Sequence, residues 1–140
     1  GNDAGNAYNL FPWMTYDSWL PAEILQMKPL WRNFFENTAT VQASHRVLAM
    51  TTLGSIGLSF WYAKRGNLST LWANLPSPVK NFQTATVAIA SGQVSLGITT
   101  LLLHVPIPLA VAHQVGALAL LGSSVGSLHA LKFAKKQAKK

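Results

Sequence analysis

Between Lys80 and Lys132 lie 51 consecutive residues, Asn81 to Leu131, without one Asp, Glu, Lys or Arg. At the usual charged fraction of about one residue in four, chance produces such a run on the order of once in a million. A bilayer-spanning helix needs about 20 mostly apolar residues, so the run has room for two spans and a short turn. A second charge-free run covers Val47 to Ala63. Neither a soluble core nor a low-complexity linker produces both runs, whereas a bilayer does. The mean hydropathy of +0.22 understates the pattern, because the polar, aromatic-rich residues 1–40 are averaged into it.

The spacing predicts an all-α, polytopic membrane protein. Three transmembrane helices are expected, over Val41–Tyr62, about Phe82–Leu103 and about Leu109–Leu131. Residues 1–40 read as an extramembrane aromatic-rich loop, and residues 41–140 as a transmembrane helical domain with a basic tail. Gly66, Pro76 and Pro78 punctuate the loop after the first span, and His104–Pro108 reads as a tight turn that makes the last two spans antiparallel. Trp13, Trp19, Trp31, Tyr8, Tyr16, Phe11, Phe34 and Phe35 suit the headgroup level of a membrane interface.

Charge sets the orientation. All four acids (Asp3, Asp17, Glu23, Glu36) precede residue 41, while Lys64, Arg65, Lys80 and the five lysines from Lys132 onward follow it. The positive-inside rule places the 64–80 loop and the tail on one side, which an odd number of spans satisfies. The net charge of +7 is thus a topology signal rather than a nucleic-acid footprint. Absence of cysteine excludes disulfides and thiolate metal sites. The opening Gly-Asn-Asp-Ala-Gly shows no signal-peptide pattern, and the chain reads as a piece of something longer.

Two histidines stand at matched places. His45 is four residues into the first span and His113 four residues into the third, in the short echo Val41-Gln-Ala-Ser-His45-Arg46 and Leu109-Ala-Val-Ala-His113-Gln114. Both spans start on the same side, so both imidazoles lie about 6 Å below the start of their helices. Ionisable groups inside a membrane usually face a functional interior. Two imidazoles at one depth can clamp a metal from opposite sides, as bis-histidine haem ligation requires. Hydrogen bonding to neighbouring helices is the competing role, and spacing leaves the two open. His104 suits the interface or a propionate. His129, about 24 Å beyond His113 along a helix, cannot reach the same iron.

Arg46 sits inside the membrane boundary, where a guanidinium calls for an acid. A haem propionate would serve through the bidentate fork, and so would Glu36 or Asp3. Lys28 and Arg32 read as solvated loop charges that could also reach propionates. Gln42 shares a helical face with His45; Gln93 and Gln114 read as interhelical hydrogen-bonding amides. Gly122-Ser-Ser-Val-Gly126, Gly92 and Gly97 read as close-packing surfaces. No carboxylate lies inside a span, and no Ser/His/Asp set, phosphate loop or HExxH occurs, so no self-contained acid–base site is expected.

Several motifs carry a family likeness. Asn2-Asp-Ala-Gly5, Tyr8-Asn-Leu-Phe-Pro12-Trp-Met14, Arg32-Asn-Phe-Phe-Glu-Asn37, Val41–Arg46, Gln93-Val-Ser-Leu-Gly-Ile-Thr-Thr-Leu-Leu102 and Val105-Pro-Ile-Pro-Leu-Ala110 with Ala112-His113-Gln114 together resemble the C-terminal half of the heme A synthase family, in its mitochondrial and alphaproteobacterial branch. The resemblance implies an eight-helix protein of two pseudo-symmetric four-helix halves. Such an enzyme oxidises the C8 methyl of haem O to the formyl of haem A for cytochrome c oxidase. This chain would supply three helices, most of a four-helix haem-binding half-bundle.

In that family the C-terminal half holds haem b and the N-terminal half the substrate haem. His45 and His113 fall on the haem-b ligands, with Arg46, Gln42 and Gln114 beside the cofactor. Gln42 stands where the N-terminal half carries a glutamate implicated in the oxidation, so the substrate site should lie elsewhere. The implied partners are the lipid bilayer, haem O and haem A, the N-terminal half or an equivalent chain, and an electron donor such as a ferredoxin. The implied location is the mitochondrial inner membrane, with a bacterial plasma membrane as the alternative. A bis-His cytochrome b electron-transfer or structural subunit is the competing function.

Overall fold

The computed structural model describes residues 13, 15, 18–65 and 69–137. A 3₁₀ turn at Leu30–Arg32 runs into α1 (Asn33–Glu36), followed by α2 (Thr38–Arg65), α3 (Ser69–Asn74), α4 (Ser77–Leu102) and α5 (Ile107–Gln137). No strand occurs among the described residues. The 28, 26 and 31 residues of α2, α4 and α5 give helices of roughly 40 Å or more, longer than a hydrocarbon core of about 30 Å.

Each long helix outruns its expected span because its ends carry local start and stop signals. Asn37, in an extended conformation, accepts the Thr40 N–H on its Oδ1 at 3.1 Å, an N-cap that starts α2 three residues before Val41. Pro78 and Pro108 lie in the first turns of α4 and α5, where a missing N–H costs nothing. Pro108 therefore belongs to α5 rather than to the turn. The expected 64–80 loop contains α3 and the first turn of α4.

α4 stops in a Schellman motif. The Val105 N–H reaches the Thr100 carbonyl at 2.8 Å and the His104 N–H reaches Leu101 at 3.2 Å. His104 takes the left-handed position at φ 59°, followed by Val105 at φ 58°. A β-branched residue there is strained.

α4 and residues 107–136 of α5 are long and apolar enough to cross a membrane. Only 17% and 6% of their most apolar windows are buried, which separates them from core helices of a soluble bundle. Ile107, Leu118 and Leu128 are each more than two-thirds exposed. α2 has the length, but its first turns carry Gln42, Ser44, His45 and Arg46, so two of the three expected spans are marked by both length and composition. Hydroxyls along the helices bond back to carbonyls four residues earlier: Thr51 to Val47, Thr84 to Lys80, Ser91 to Val87 and Thr99 to Ser95, all within 2.8–3.0 Å. That is how polar side chains are satisfied where water is absent. The chain is an all-α membrane protein.

Contacts divide the chain into two compact units, one of residues 1–51 with 94–113 and the other of residues 52–93 with 114–140. In the second unit, Thr86 meets Ser123 at 3.1 Å and Ser127 at 3.5 Å, a buried hydroxyl cluster joining α4 to α5. The Gln93 amide lies against the α5 backbone, where a Cβ at Gly116 would stand 1.8 Å from Nε2. A Cβ at Gly126 would meet Phe82 at 2.5 Å, whereas Gly92 and Gly122 face open space. Of the expected close-packing glycines, Gly97 and Gly126 have that role, while Gly92 and Gly122 do not.

Candidate functional site

The first unit carries the site. Its foundation is a polar clasp around Asn33, which is fully buried. The Asn33 carbonyl oxygen accepts the Met27 N–H at 2.9 Å, and its amide donates to the carbonyls of Met27 and Leu30 at 2.8 and 2.9 Å. Asn37 donates to the Glu23 carbonyl at 2.7 Å and to Asn33 Oδ1 at 3.2 Å. Thr40 Oγ1 accepts the Leu25 N–H at 3.1 Å. With every donor and acceptor answered, residues 21–37 are folded back on the first turn of α2. That fixes the start of the helix bearing His45 two turns further on.

His45 on α2 and His113 on α5 come together. Their ring centroids are 6.4 Å apart, with the planes at 73°. Two imidazoles bound end-on to one metal ion, with metal–nitrogen bonds of about 2.0 Å, have centroids about 6 Å apart. The angle between the planes is set by rotation about those bonds and is not constrained. Gly97 on α4 makes the place for His113, since a Cβ there would stand 3.0 Å from the imidazole Cε1 and 3.6 Å from both ring nitrogens. Among the described residues no group of three or more His, Cys, Asp or Glu side chains gathers. The pair by itself offers two imidazoles at this separation.

Gln42 and Arg46 share α2 with His45, and Gln114 follows His113 on α5. Gln42 is buried one turn before His45, and Gln114 is exposed. Arg46 donates from Nη1 to the Trp13 carbonyl at 2.9 Å, which holds the chain preceding the clasp over the start of α2. Trp13 in turn stacks edge-on with Trp19 at 4.6 Å. Glu36 is not the acid expected for Arg46, because it is taken by Arg32, whose Nε lies 3.0 and 3.1 Å from its two carboxylate oxygens. The Arg32 hydrogen bonds hold the Glu36 carboxyl below the usual carboxylate range, and the Glu36 carboxylate holds Arg32 above its ordinary value. Asp3, the other acid considered for Arg46, lies outside the described residues, as do Tyr8, Phe11, Tyr16, Gly66, Lys139, Lys140 and the Asn2–Gly5 motif. His104 is exposed at the α4–α5 turn. His129 belongs to the second unit and packs its ring on Phe133 at 4.6 Å.

Comparison with known proteins bears on what such a pair serves. The profile of the COX15-CtaA family, described as cytochrome oxidase assembly protein, matches residues 1–125. The chain belongs to this family. It is 50% identical over 121 residues to heme A synthase COX15 of Arabidopsis thaliana, covering 86% of this chain and 25% of that protein. It is 39% identical over 132 residues to heme A synthase COX15 of Homo sapiens, covering 94% of this chain and 30% of the relative. The heme A synthase of Rhodospirillum centenum is 45% identical over 132 residues, 94% of this chain and 33% of its own length. The chain thus spans about a quarter to a third of these relatives. No solved structure matches it.

Within this family member the residues that sequence reasoning passed over are Asn33, Asn37, Thr40 and Gly116. Asn37 did carry a sequence signal, an Asn directly before a long apolar-periodic stretch, which is the pattern of an N-cap. Asn33 entered only within the Arg32–Asn37 motif and Gly116 carried no signal, since their roles rest on tertiary contacts.

Proposed function

We propose that the chain is the C-terminal, haem-b-binding part of a heme A synthase, with His45 and His113 as the residues that would hold the iron. The observation that carries this reading is the 6.4 Å between the two imidazole centroids, a separation suited to one shared iron. The whole enzyme would oxidise the C8 methyl of haem O to the formyl of haem A in the membrane, for cytochrome c oxidase assembly.

Haem b, when bound, supplies a one-electron couple whose potential answers to its axial ligands and their surroundings. The rest is the work of this chain. His45 and His113 would hold the haem through its iron, and the oxidation of the substrate haem would fall to the part of the enzyme outside this chain. Gly97 lets the His113 ring stand against α4. Arg46, next to His45 and with Nη1 on the Trp13 carbonyl, would stand at the level of the propionates as their cationic neighbour. Gln42, buried on the His45 face, would border the macrocycle.

The third span is assigned to α2, because both histidines are then at one depth. The mitochondrial inner membrane is the proposed location, with residues 1–40 in the intermembrane space and an electron donor such as a ferredoxin reaching the enzyme from the matrix. Support for the location comes from the plant relative being the most similar of those compared above.

The test is the absorption spectrum of the full-length enzyme purified from membranes, with extraction and identification of its haems. The wild type should show low-spin haem b, and His45→Ala and His113→Ala should each lose it. Retention of the low-spin bands in both variants would remove the ligand assignment.

A further inference from the structure

The second unit holds a surface that the haem reading does not use. Pro76, Phe82, Gly126, Ala130 and Phe133 line an open, largely apolar groove of about 310 Å³ where α4 begins and α5 nears its C-terminal end. A second concavity of about 500 Å³, bounded by Lys132, Lys135 and Lys136, shares His129 and Phe133 with it. The pattern along α5 explains the pairing. Residues 126, 129, 130, 133 and 136 recur on one helical face, small and apolar at the start and cationic at the end. Gly126 is required for this shape, because any Cβ there would meet the Phe82 ring at 2.5 Å. The His129 and Phe133 rings, 4.6 Å apart, stand between the two concavities.

The change from apolar to cationic coincides with the edge of the bilayer, since the charge-free run ends at Leu131 and Lys132 follows. The lysines have no acidic side chain to neutralise them in their own unit: residues 52–140 contain eight basic residues and no Asp or Glu. Two other cations of the unit are engaged elsewhere. Lys64 lies over the rings of Phe60 and Trp72 at 4.8 and 5.9 Å, and Lys80 donates to the Ala73 carbonyl at 2.8 Å. A counter-charge for Lys132, Lys135 and Lys136 must come from outside the unit, at headgroup level, beside an apolar groove. A phosphate ester carrying an acyl chain meets all three conditions.

We propose that this face of α5 binds one anionic phospholipid, with an acyl chain against Phe82, Gly126 and Ala130 and the phosphate held by His129, Lys132 and Lys136. A zwitterionic lipid offers the same chain but no net charge, and inorganic phosphate offers the charge but no chain.

The test uses the full-length enzyme in neutral detergent, titrated with dioleoylphosphatidylglycerol, dioleoylphosphatidylcholine or inorganic phosphate, with bound lipid counted by native mass spectrometry. Phosphatidylglycerol should be retained in preference to phosphatidylcholine. Lys132→Gln with Lys136→Gln should weaken that binding about 30-fold, at the strength of a lysine near a charged headgroup. Ala130→Phe, which fills the groove and leaves the charges alone, should weaken it as well. Equal retention of the two lipids, or phosphatidylglycerol binding unchanged in both variants, would overturn the proposal. Inorganic phosphate competing as well as the lipid would also overturn it, as a site for free anions needs no groove.

Discussion

At Gly97 a Cβ would stand 3.0 Å from Cε1 of His113, closer than side-chain carbons rest without displacement. A single methyl there asks the imidazole to give by a few tenths of an ångström, and a branched side chain asks for more, which would turn the ring away from an iron shared with His45 under the proposed ligation. Overpacking of this kind costs about 1–3 kcal/mol. Gly97→Val should therefore loosen haem retention by roughly tenfold and shift the low-spin bands, while Gly92→Val, at a glycine facing open space, should do neither. Haem content per protein and the visible spectrum of the two variants make the comparison. Equal haem content in both would show that His113 does not depend on the α4 backbone. The contrast is useful because both glycines sit on one helix and differ only in what a side chain would meet.

The start of α2 shows how an element comes to hold a site residue. Asn37 caps the helix through Oδ1 and ties it to the preceding segment through Nδ2. A cap of this kind contributes about 1 kcal/mol, and leaving its buried partners unanswered adds about 1–3 kcal/mol more. Asn37→Ala should lower stability by about 2–4 kcal/mol in denaturant titration, and Asn37→Asp, which keeps the cap but loses the donor, should fall between it and wild type. Three equal midpoints would show that the clasp does not hold the helix. The histidine spacing, two of the three span positions and the antiparallel turn were legible in the sequence because bilayer thickness and helical rise dictate them. The clasp was not legible, since Asn33 is polar by type and becomes a core residue only when residues 21–37 fold back. Of the acids considered for Arg46, Glu36 drops out for a related reason: it is one helical turn from Arg32, and that local pairing removes it from competition.

At the scale of the whole molecule, charge and helix count constrain each other. Glu23, Glu36 and the aromatic segment precede α2, the turn at 103–106 joins α4 to α5, and every basic residue after Arg46 lies in the last turn of α2, in the first turn of α4 or beyond Leu131. Positive-inside orientation puts both basic clusters on one side. Only an odd number of crossings does so while keeping the aromatic segment opposite. If α2 lay along the surface instead, the aromatic segment and the tail would share a side, and His45 would leave the depth of His113. The chain has no cysteine of its own, so single cysteines at exposed Ser18, Asn74 and Lys136 report the arrangement directly. In sealed inner-membrane vesicles of known orientation, a membrane-impermeant maleimide should label Ser18→Cys from one face and both Asn74→Cys and Lys136→Cys from the other. Labelling of Ser18→Cys and Lys136→Cys from the same face would reduce the spans to two, and a shared iron would then lack the two parallel helices that bring its ligands to one level.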